Sequence, residues 1–306
     1  MAKKVIDPGL GTASVADAKR MVNKDGTFNI AHVNHRGRIF SAYKYLISIS
    51  WGRFFFIVVL GYIVINSIFA ALYVIAGIEN IIPPSGDVLK DFLNAFFFSS
   101  QTITTVGYGA MAPKGLAAGW ISTFEALIGL LSFSFITGLL YGRFAKPRAS
   151  IVFSKHMIYR DFNNGKAIMF RLMNRRTNVM IQPRVKVTLS ISEEKNGEFS
   201  RSFYQLQLER DAITYMPITW TIVHPLDDQS PLSKFSKEQL KKLNAELVIL
   251  ASYYDETFNQ VVHQVHSYLL SETELDRHFE KAFYFDEDGV TTLDHKRLSK
   301  TTAIER

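Results

Sequence analysis

The run from Phe54 to Ile78 carries no charged residue, and the run from Gly115 to Gly142 carries only Glu125. About 20 apolar residues suffice to cross the hydrocarbon of a bilayer as a helix. In lipid the backbone must satisfy its own polar groups, so each run has to be helical. Two such runs fold as a membrane hairpin. Arg36, Arg38, Lys44 and Arg53 precede the first run. Arg143, Lys146, Arg148 and Lys155 follow the second. The intervening segment mixes Lys90 and Lys114 with Glu79, Asp87 and Asp91. Basic flanks mark the cytoplasmic side, so both termini are expected there, in a multi-pass membrane protein.

The rest of the chain is different. Hydrophobic residues make up 47% of 306, with 24 Phe, yet mean hydropathy is only +0.05. A membrane part is therefore joined to an ordinary folded part. There is no cysteine, which removes disulfides and thiolate metal sites. The net charge is +7, but no aromatic-interleaved basic stretch or nucleic-acid module accompanies it, so anionic lipid is the expected partner and nucleic acid is not.

Four regions follow. Residues 1–35 are polar, resemble no signal peptide, and read as a mobile cytoplasmic arm without a folded element. Residues 36–52 hold Ile39, Phe40, Tyr43, Leu46, Ile47 and Ile49 at helical spacing, which predicts an amphipathic helix in the membrane interface from Ile39 to Ser50 and a break at Trp51-Gly52. Residues 53–146 form a transmembrane pore domain. Within it Glu79 to Asp91 is an outer loop, and Phe92 to Ile103 is too short to span and predicts a re-entrant helix. Residues 147–306 form a β domain.

The re-entrant helix runs into Thr104-Thr105-Val106-Gly107-Tyr108-Gly109. Thr-Val-Gly-Tyr-Gly is the known signature of potassium selectivity filters, so this identification is a match of letters. The chemistry fits the letters. A dehydrated cation needs oxygens on all sides, and the carbonyls of Thr105, Val106, Gly107 and Tyr108 can supply them to K⁺. Aiming successive carbonyls at one axis needs backbone angles that Gly107 and Gly109 adopt freely. One loop cannot surround an ion, so four copies are expected. Glu125, a carboxylate inside a span, is expected to brace the filter through hydrogen bonds. Phe133, Thr137 and Tyr141 share one face of the second span and are candidate gate and cavity residues. Gly129 and Gly138 are candidate hinges. Arg36, Arg38, Arg53, Arg143, Lys146 and Arg148 are candidate lipid-headgroup ligands.

After Pro147, alternation replaces long apolar runs. Val185, Val187, Leu189 and Ile191 alternate with polar residues, and Asn163-Asn164-Gly165 and Asn196-Gly197 signal hairpins. Further strands are expected near 167–172, 202–209, 215–223, 246–253, 260–268 and 279–285, with Ser236 to Leu243 the one helix. The pattern predicts an all-β, immunoglobulin-like sandwich. His263 and His266 fall three apart on a strand and so face opposite sides, which argues against a shared metal. Asp286-Glu287-Asp288-Gly289 reads as a hairpin turn. No nucleophile–base arrangement points to an enzyme.

The interfacial segment, two spans around the filter and the C-terminal β domain together resemble the inward-rectifier potassium channels. The resemblance runs from about Gly37 to Phe285. It rests on Ala145-Lys146-Pro147, Gly165-Lys166 with Arg171-Leu172, the run Trp220 to Asp227, Ser230-Pro231-Leu232, and Ala245 to Leu250 followed by Ser267-Tyr268. The absence of cysteine and the short termini look like the prokaryotic branch. The resemblance implies a homotetramer that conducts K⁺ passively, needs no cofactor, and is gated at its inner helices with coupling to the cytoplasmic domain. It also implies lipid modulation, with inhibition by phosphoinositides in prokaryotic relatives, and block by Mg²⁺ or polyamines. Phe133 stands where strong rectifiers carry an acid, and Gln101 and Met111 stand where eukaryotic members carry a Glu–Arg pair. Those departures put strong inner-helix block and eukaryotic lipid activation in doubt. The alternative reading is a membrane-anchored ligand-binding or sensor protein with a non-conducting pore.

Overall fold

The structure, a computed structural model, describes residues 4–15, 20–33, 39–147, 149–195 and 197–304. The chain divides into two compact units, one of residues 34–146 and the other of residues 1–33 with 147–306.

Among the described residues the membrane unit holds four α-helices. The first, α1 (Ile39–Ser48), ends two residues before α2 (Trp51–Ile75) begins. The break thus falls at Ile49-Ser50, and Trp51-Gly52 lies in the first turn of α2, where the sequence had placed the break. The aromatic run Trp51, Phe54 and Phe55 stacks along that turn, which helps it stay helical. A turn with Gly77 at φ 100° ends α2, and Asn80 closes the outer loop by bonding the backbone nitrogen of Lys114 through its carbonyl at 2.7 Å. The re-entrant helix α3 (Val88–Ile103) starts four residues before the predicted Phe92, because Asp87 caps it by accepting from the backbone nitrogens of Leu89 and Lys90. The last helix, α4 (Gly115–Ala145), is continuous and passes the predicted end at Gly142. Helices α2 and α4 are long and apolar enough to span a membrane, and only 17% of the most apolar window of each is buried. Their faces therefore point outward, as a bilayer requires. The interior is small: Phe69, Ala70, Tyr73, Ala95, Phe98 and Ala118 pack as one cluster between α2, α3 and α4.

The second unit is a two-sheet sandwich. Its strands are β1 (Lys4–Val5), β2 (Ile151–Phe153), β3 (Ile158–Phe162), β4 (Gly165–Asn174), β5 (Met180–Lys195), β6 (Glu198–Leu206), β7 (Tyr215–Met216) and β8 (Thr219–Pro225). After the short helix α5 (Lys237–Lys242) come β9 (Ala245–Asp255), β10 (Gln260–Leu269), β11 (Glu274–Leu275), β12 (Arg277–Phe279), β13 (Phe283–Phe285), β14 (Thr291–Leu293) and β15 (Thr301–Ala303). One sheet runs β1-β6-β5-β9-β10, with β7 beside β5. The other runs β11-β3-β4-β2, with β8 beside β4. Both are antiparallel except for the parallel pair of β3 and β11. Val185, Val187, Leu189 and Ile191 of β5 and Ile168, Phe170, Leu172 and Trp220 of the facing sheet meet in one core. Each such aliphatic side chain taken from water contributes about 1.5–3 kcal/mol. Asn163 takes φ 50° in the two-residue turn between β3 and β4, a conformation asparagine tolerates. A capping box of Ser236 and Gln239 starts α5. The strand expected over 279–285 is two strands, β12 and β13, because Ala282 turns inward between them.

The N-terminal segment departs from the expectation of an arm without a folded element. Lys4 and Val5 pair with Tyr204 and Phe203 of β6. Val22 is wholly buried, and the Glu246 carboxylate accepts from the backbone nitrogens of Met21 at 2.7 Å and Val22 at 3.2 Å. Backbone pairing on a sheet edge needs little from side chains, so a polar sequence does not forbid it.

Candidate functional site

Helix α3 carries the chain to the filter, and its last turn anchors it. The carbonyl of Gln101 accepts from the backbone nitrogens of Val106 at 2.9 Å and Gly107 at 3.3 Å. The Gln101 carbonyl thus ties this loop to the end of α3. Thr105, Gly107 and Gly109 have φ of 60°, 51° and 82°. In an ordinary strand successive carbonyls point to opposite sides. Reversing the hand of every second residue turns them to one side, which is the row of oxygens a cation needs. For Thr105 this costs about 1–2 kcal/mol, since its Cβ crowds the following carbonyl. Within one chain the filter has little around it: Val106 is 54% and Tyr108 80% exposed.

A polar network stands behind α3. Glu125 of α4 is fully buried. Tyr73 of α2 donates to its Oε2 at 2.6 Å, and the Ser99 hydroxyl of α3 bonds its Oε1. Ser99 also lies 2.9 Å from Asn66 Oδ1, and Asn66 Nδ2 donates to the Tyr62 carbonyl at 2.7 Å. Tyr62 and Ser100 share a further hydroxyl pair at 2.5 Å. One carboxylate therefore joins the three helices whose mutual positions set the filter. The sequence pointed to Glu125 but not to Asn66, Tyr73 and Ser99; Asn66, a lone amide inside the uncharged run, was the available signal.

Gly129 sits at a close approach of two helices. A Cβ there would run into the carbonyl of Ile103 at the end of α3, so Gly129 lets α4 press against the pore helix. Gly138 has open space around its Cα. Helix α4 is unbroken at both. Phe133 and Tyr141 are 74% and 76% exposed on the face they share with Thr137, whose hydroxyl donates to the Phe133 carbonyl at 2.9 Å. With Thr105 and Gly129, Phe133 lines a cleft of about 620 Å³ whose walls are mostly apolar.

The basic residues separate. Arg143 is buried: its guanidinium donates to the carbonyls of Leu46 at 2.5 Å and Ile49 at 2.8 Å and lies over the rings of Trp51 and Phe54. It satisfies the open end of α1 and joins it to α4, and so is committed to protein rather than free for a headgroup. Lys146 is exposed and donates to the Ser48 hydroxyl at 2.8 Å, and Arg53 is exposed. Arg36, Arg38 and Arg148 lie outside the described residues.

His263 is exposed while His266 is buried, its ring stacked 4.4 Å from Phe153. Among the described residues no three His, Asp or Glu side chains gather as a metal site.

These features invite comparison with known proteins. A family model described as inward rectifier potassium channel C-terminal domain matches residues 151–306, and one described as ion channel matches residues 54–146. The chain is 35% identical over 289 residues to the inward rectifier potassium channel Kirbac3.1 of Paramagnetospirillum magnetotacticum, covering 93% of this chain and 96% of that one. The chain belongs to the inward-rectifier potassium channel family. Mammalian members are more distant: G protein-activated inward rectifier potassium channel 2 of Mus musculus and of Homo sapiens are each 25% identical, over 92% of this chain and 72% of theirs. In this inward-rectifier channel the filter and the β domain fall in the two regions that the two family models match. The family is one of ion channels, not of enzymes.

Proposed function

We propose that the chain forms a homotetramer that conducts K⁺ passively across a bacterial inner membrane, with both termini cytoplasmic. The observation that carries this reading is the alternation of left-handed residues at 105, 107 and 109 in a filter that one chain leaves open. Four such loops around an axis would close the oxygen cage and cover Val106 and Tyr108. Glu125 would hold each loop in register. The face of Phe133, Thr137 and Tyr141 would line the axis below, where rings of aromatic side chains can close a pore by excluding water. Gly138, with space around it, is the better bending point. With no acid at Phe133, binding of internal Mg²⁺ or polyamines there would be weak.

Lipid modulation is assigned to Arg53 and Lys146, with Arg36, Arg38 and Arg148 in reach of the same surface by sequence. Each is worth about 1 kcal/mol beside an anionic membrane, enough in combination to bias a gate whose states differ by a few kcal/mol. Inhibition is the expected sign.

The test is ion flux from purified protein in liposomes. Rb⁺ and K⁺ should pass well ahead of Na⁺, and Ba²⁺ should block near Thr105. Equal Na⁺ and K⁺ permeation would overturn the reading, and no flux from intact tetramers would leave the chain a sensor with a closed pore.

A further inference from the structure

Asn66, Tyr73, Ser99 and Glu125 are each 0% exposed, so their hydrogen bonds have to close among themselves and the backbone. The hydrogens available for this can be counted. The Tyr73 hydroxyl donates to Glu125 Oε2 at 2.6 Å. The Ser99 hydroxyl lies between two oxygens, Glu125 Oε1 and Asn66 Oδ1, the latter at 2.9 Å. A hydroxyl has one hydrogen. If Glu125 is ionised, one of those two oxygens faces the Ser99 oxygen with no hydrogen between them. Turning the Asn66 amide over does not repair this. Its Nδ2 now donates to the Tyr62 carbonyl at 2.7 Å, and after a flip two oxygens would meet there instead.

No cation stands by to hold a charge on Glu125. Among the described residues no Lys, Arg or His pairs with it. Of the other charged residues between Trp51 and Ala145, Arg53, Glu79, Asp87, Lys90 and Lys114 are exposed. Asp91 accepts from the Ser85 nitrogen at 2.8 Å, and Arg143 bonds the carbonyls of Leu46 and Ile49. Tyr73 is the titratable group that touches Glu125, and it touches as a donor. A buried carboxylate with no cation is costly.

We propose that Glu125 is a neutral carboxylic acid in the conducting channel, and that losing its proton to hydroxide at alkaline pH releases the filter. The acid hydrogen, on Oε1, is donated to the Ser99 oxygen, and the Ser99 hydrogen goes on to Asn66 Oδ1. Each of these hydrogens then has one acceptor, in a single run from Tyr73 through Glu125 and Ser99 to Asn66. The proposal rests on the reading of the chain as a channel whose filter Glu125 supports. Without the proton, Ser99 turns its hydrogen to the carboxylate, and its bond to Asn66 of α2 is lost. Ser99 stands two residues before Gln101, whose carbonyl holds the nitrogens of Val106 and Gly107, so a shift of α3 here reaches the filter directly.

The proton is read by infrared difference spectroscopy of the full-length protein in liposomes at neutral pH, parent minus Glu125→Gln. Exposed carboxyl groups are ionised there, so the carbonyl band of a protonated carboxyl should stand in the parent and be lost in the variant. Ser99→Ala, which removes the partner of the acid hydrogen, should shift that band without abolishing it. A difference holding only carboxylate bands, or a band that Ser99→Ala leaves in place, would overturn the assignment. Flux is the second readout, with the same buffer on both sides of the liposome membrane. The parent should lose most of its Rb⁺ flux at alkaline pH and regain it on return to neutral. Glu125→Gln has a permanent donor and no proton to lose, so it should keep its own neutral-pH flux. A parallel loss in both would overturn the link from proton to filter. The spectrum does not depend on conduction, so a chain without flux would sink the channel reading while the band still decided the proton.

Discussion

In the membrane unit Glu125 is fully buried and meets Tyr73 and Ser99, and Arg143 meets two carbonyls and two rings. In the β unit Arg171 is almost as deep and meets one carbonyl and one ring. The two units differ in what else holds them. The helices of the membrane unit gain little from burying apolar surface, because lipid is as apolar as their own side chains. Polar links between helices must therefore fix their positions. The sandwich is held by a continuous apolar core, and it can leave a cation incompletely paired at its back without losing its fold. A buried ionisable side chain thus ties helices together in one unit and sits behind an apolar core in the other.

Gly129→Ala is the hardest blow to the membrane half of this comparison. The added carbon meets a backbone carbonyl that cannot swing aside, and it does so at the foot of the filter. We expect flux to fall to background, whereas Gly138→Ala keeps the tetramer intact; parental flux from Gly129→Ala would mean that close contact with α3 is dispensable.

Glu125→Leu comes next. It strands the Tyr73 hydroxyl, at about 1–3 kcal/mol for a buried group left unpaired, and removes one of the two oxygens beside Ser99. Tetramers should dissociate at lower temperature on gel filtration after heating. Glu125→Gln, which keeps an oxygen and the shape, should recover most of the loss. If Leu behaves like Gln, polar links do not hold this unit.

The β half is probed by pH. Burial first, and then the nearby charges of Arg20 and Lys24, hold the His266 imidazole down to about 4, against a backbone bond to the Lys24 carbonyl and the charge of Glu272, which act the other way. The unfolded chain takes up this proton near pH 6.5 and the folded chain near 4. The stability tied to neutral His266 is therefore complete above about pH 6.5, declines as pH falls to about 4, and totals at most about 3 kcal/mol. His266→Gln should flatten the fall in unfolding midpoint over that window; identical slopes in parent and variant would show that the ring is not held neutral by its surroundings.

The smallest effect is expected at Glu246→Ala. It frees two backbone nitrogens, at Met21 and Val22, and should cost about 1–3 kcal/mol locally. Amide exchange over residues 21–28 should speed up while β9 stays protected. Unchanged exchange there would mean that Val22 alone holds the segment.

Hydropathy alone carried most of the membrane unit, since length and charge decide what can cross a bilayer. Its errors are at helix ends. Asp87 lies outside the apolar run, so a count that waits for Phe92 misses the cap that starts α3. The Glu125 network joins residues 26 to 52 positions apart, and nothing local marks such partners. Arg143 looked like every other basic residue at a membrane edge; only the position of the last α1 carbonyls tells it apart. Alternation exposed β5, yet the same reasoning left residues 1–35 empty, because pairing on a sheet edge is made by backbone. The surroundings of Arg171 were invisible for a related reason: the Glu280 carbonyl reaches it across 109 positions.

The pairing of β1 with β6 also bears on how the protein behaves in solution. Beyond Lys4 and Val5 the same edge is followed further, by Thr12, whose carbonyl accepts from Arg201 at 2.8 Å, and by Ser14, whose nitrogen donates to Phe199 at 3.1 Å. The segment covers the edge of β6: a chain cut before residue 16 would present that edge with free donors and acceptors, and such edges recruit other strands. Light scattering of truncated and full-length protein at equal concentration would register this as growth of large particles in the truncated form alone. A stretch with little sequence character of its own would then be what keeps β units from joining edge to edge.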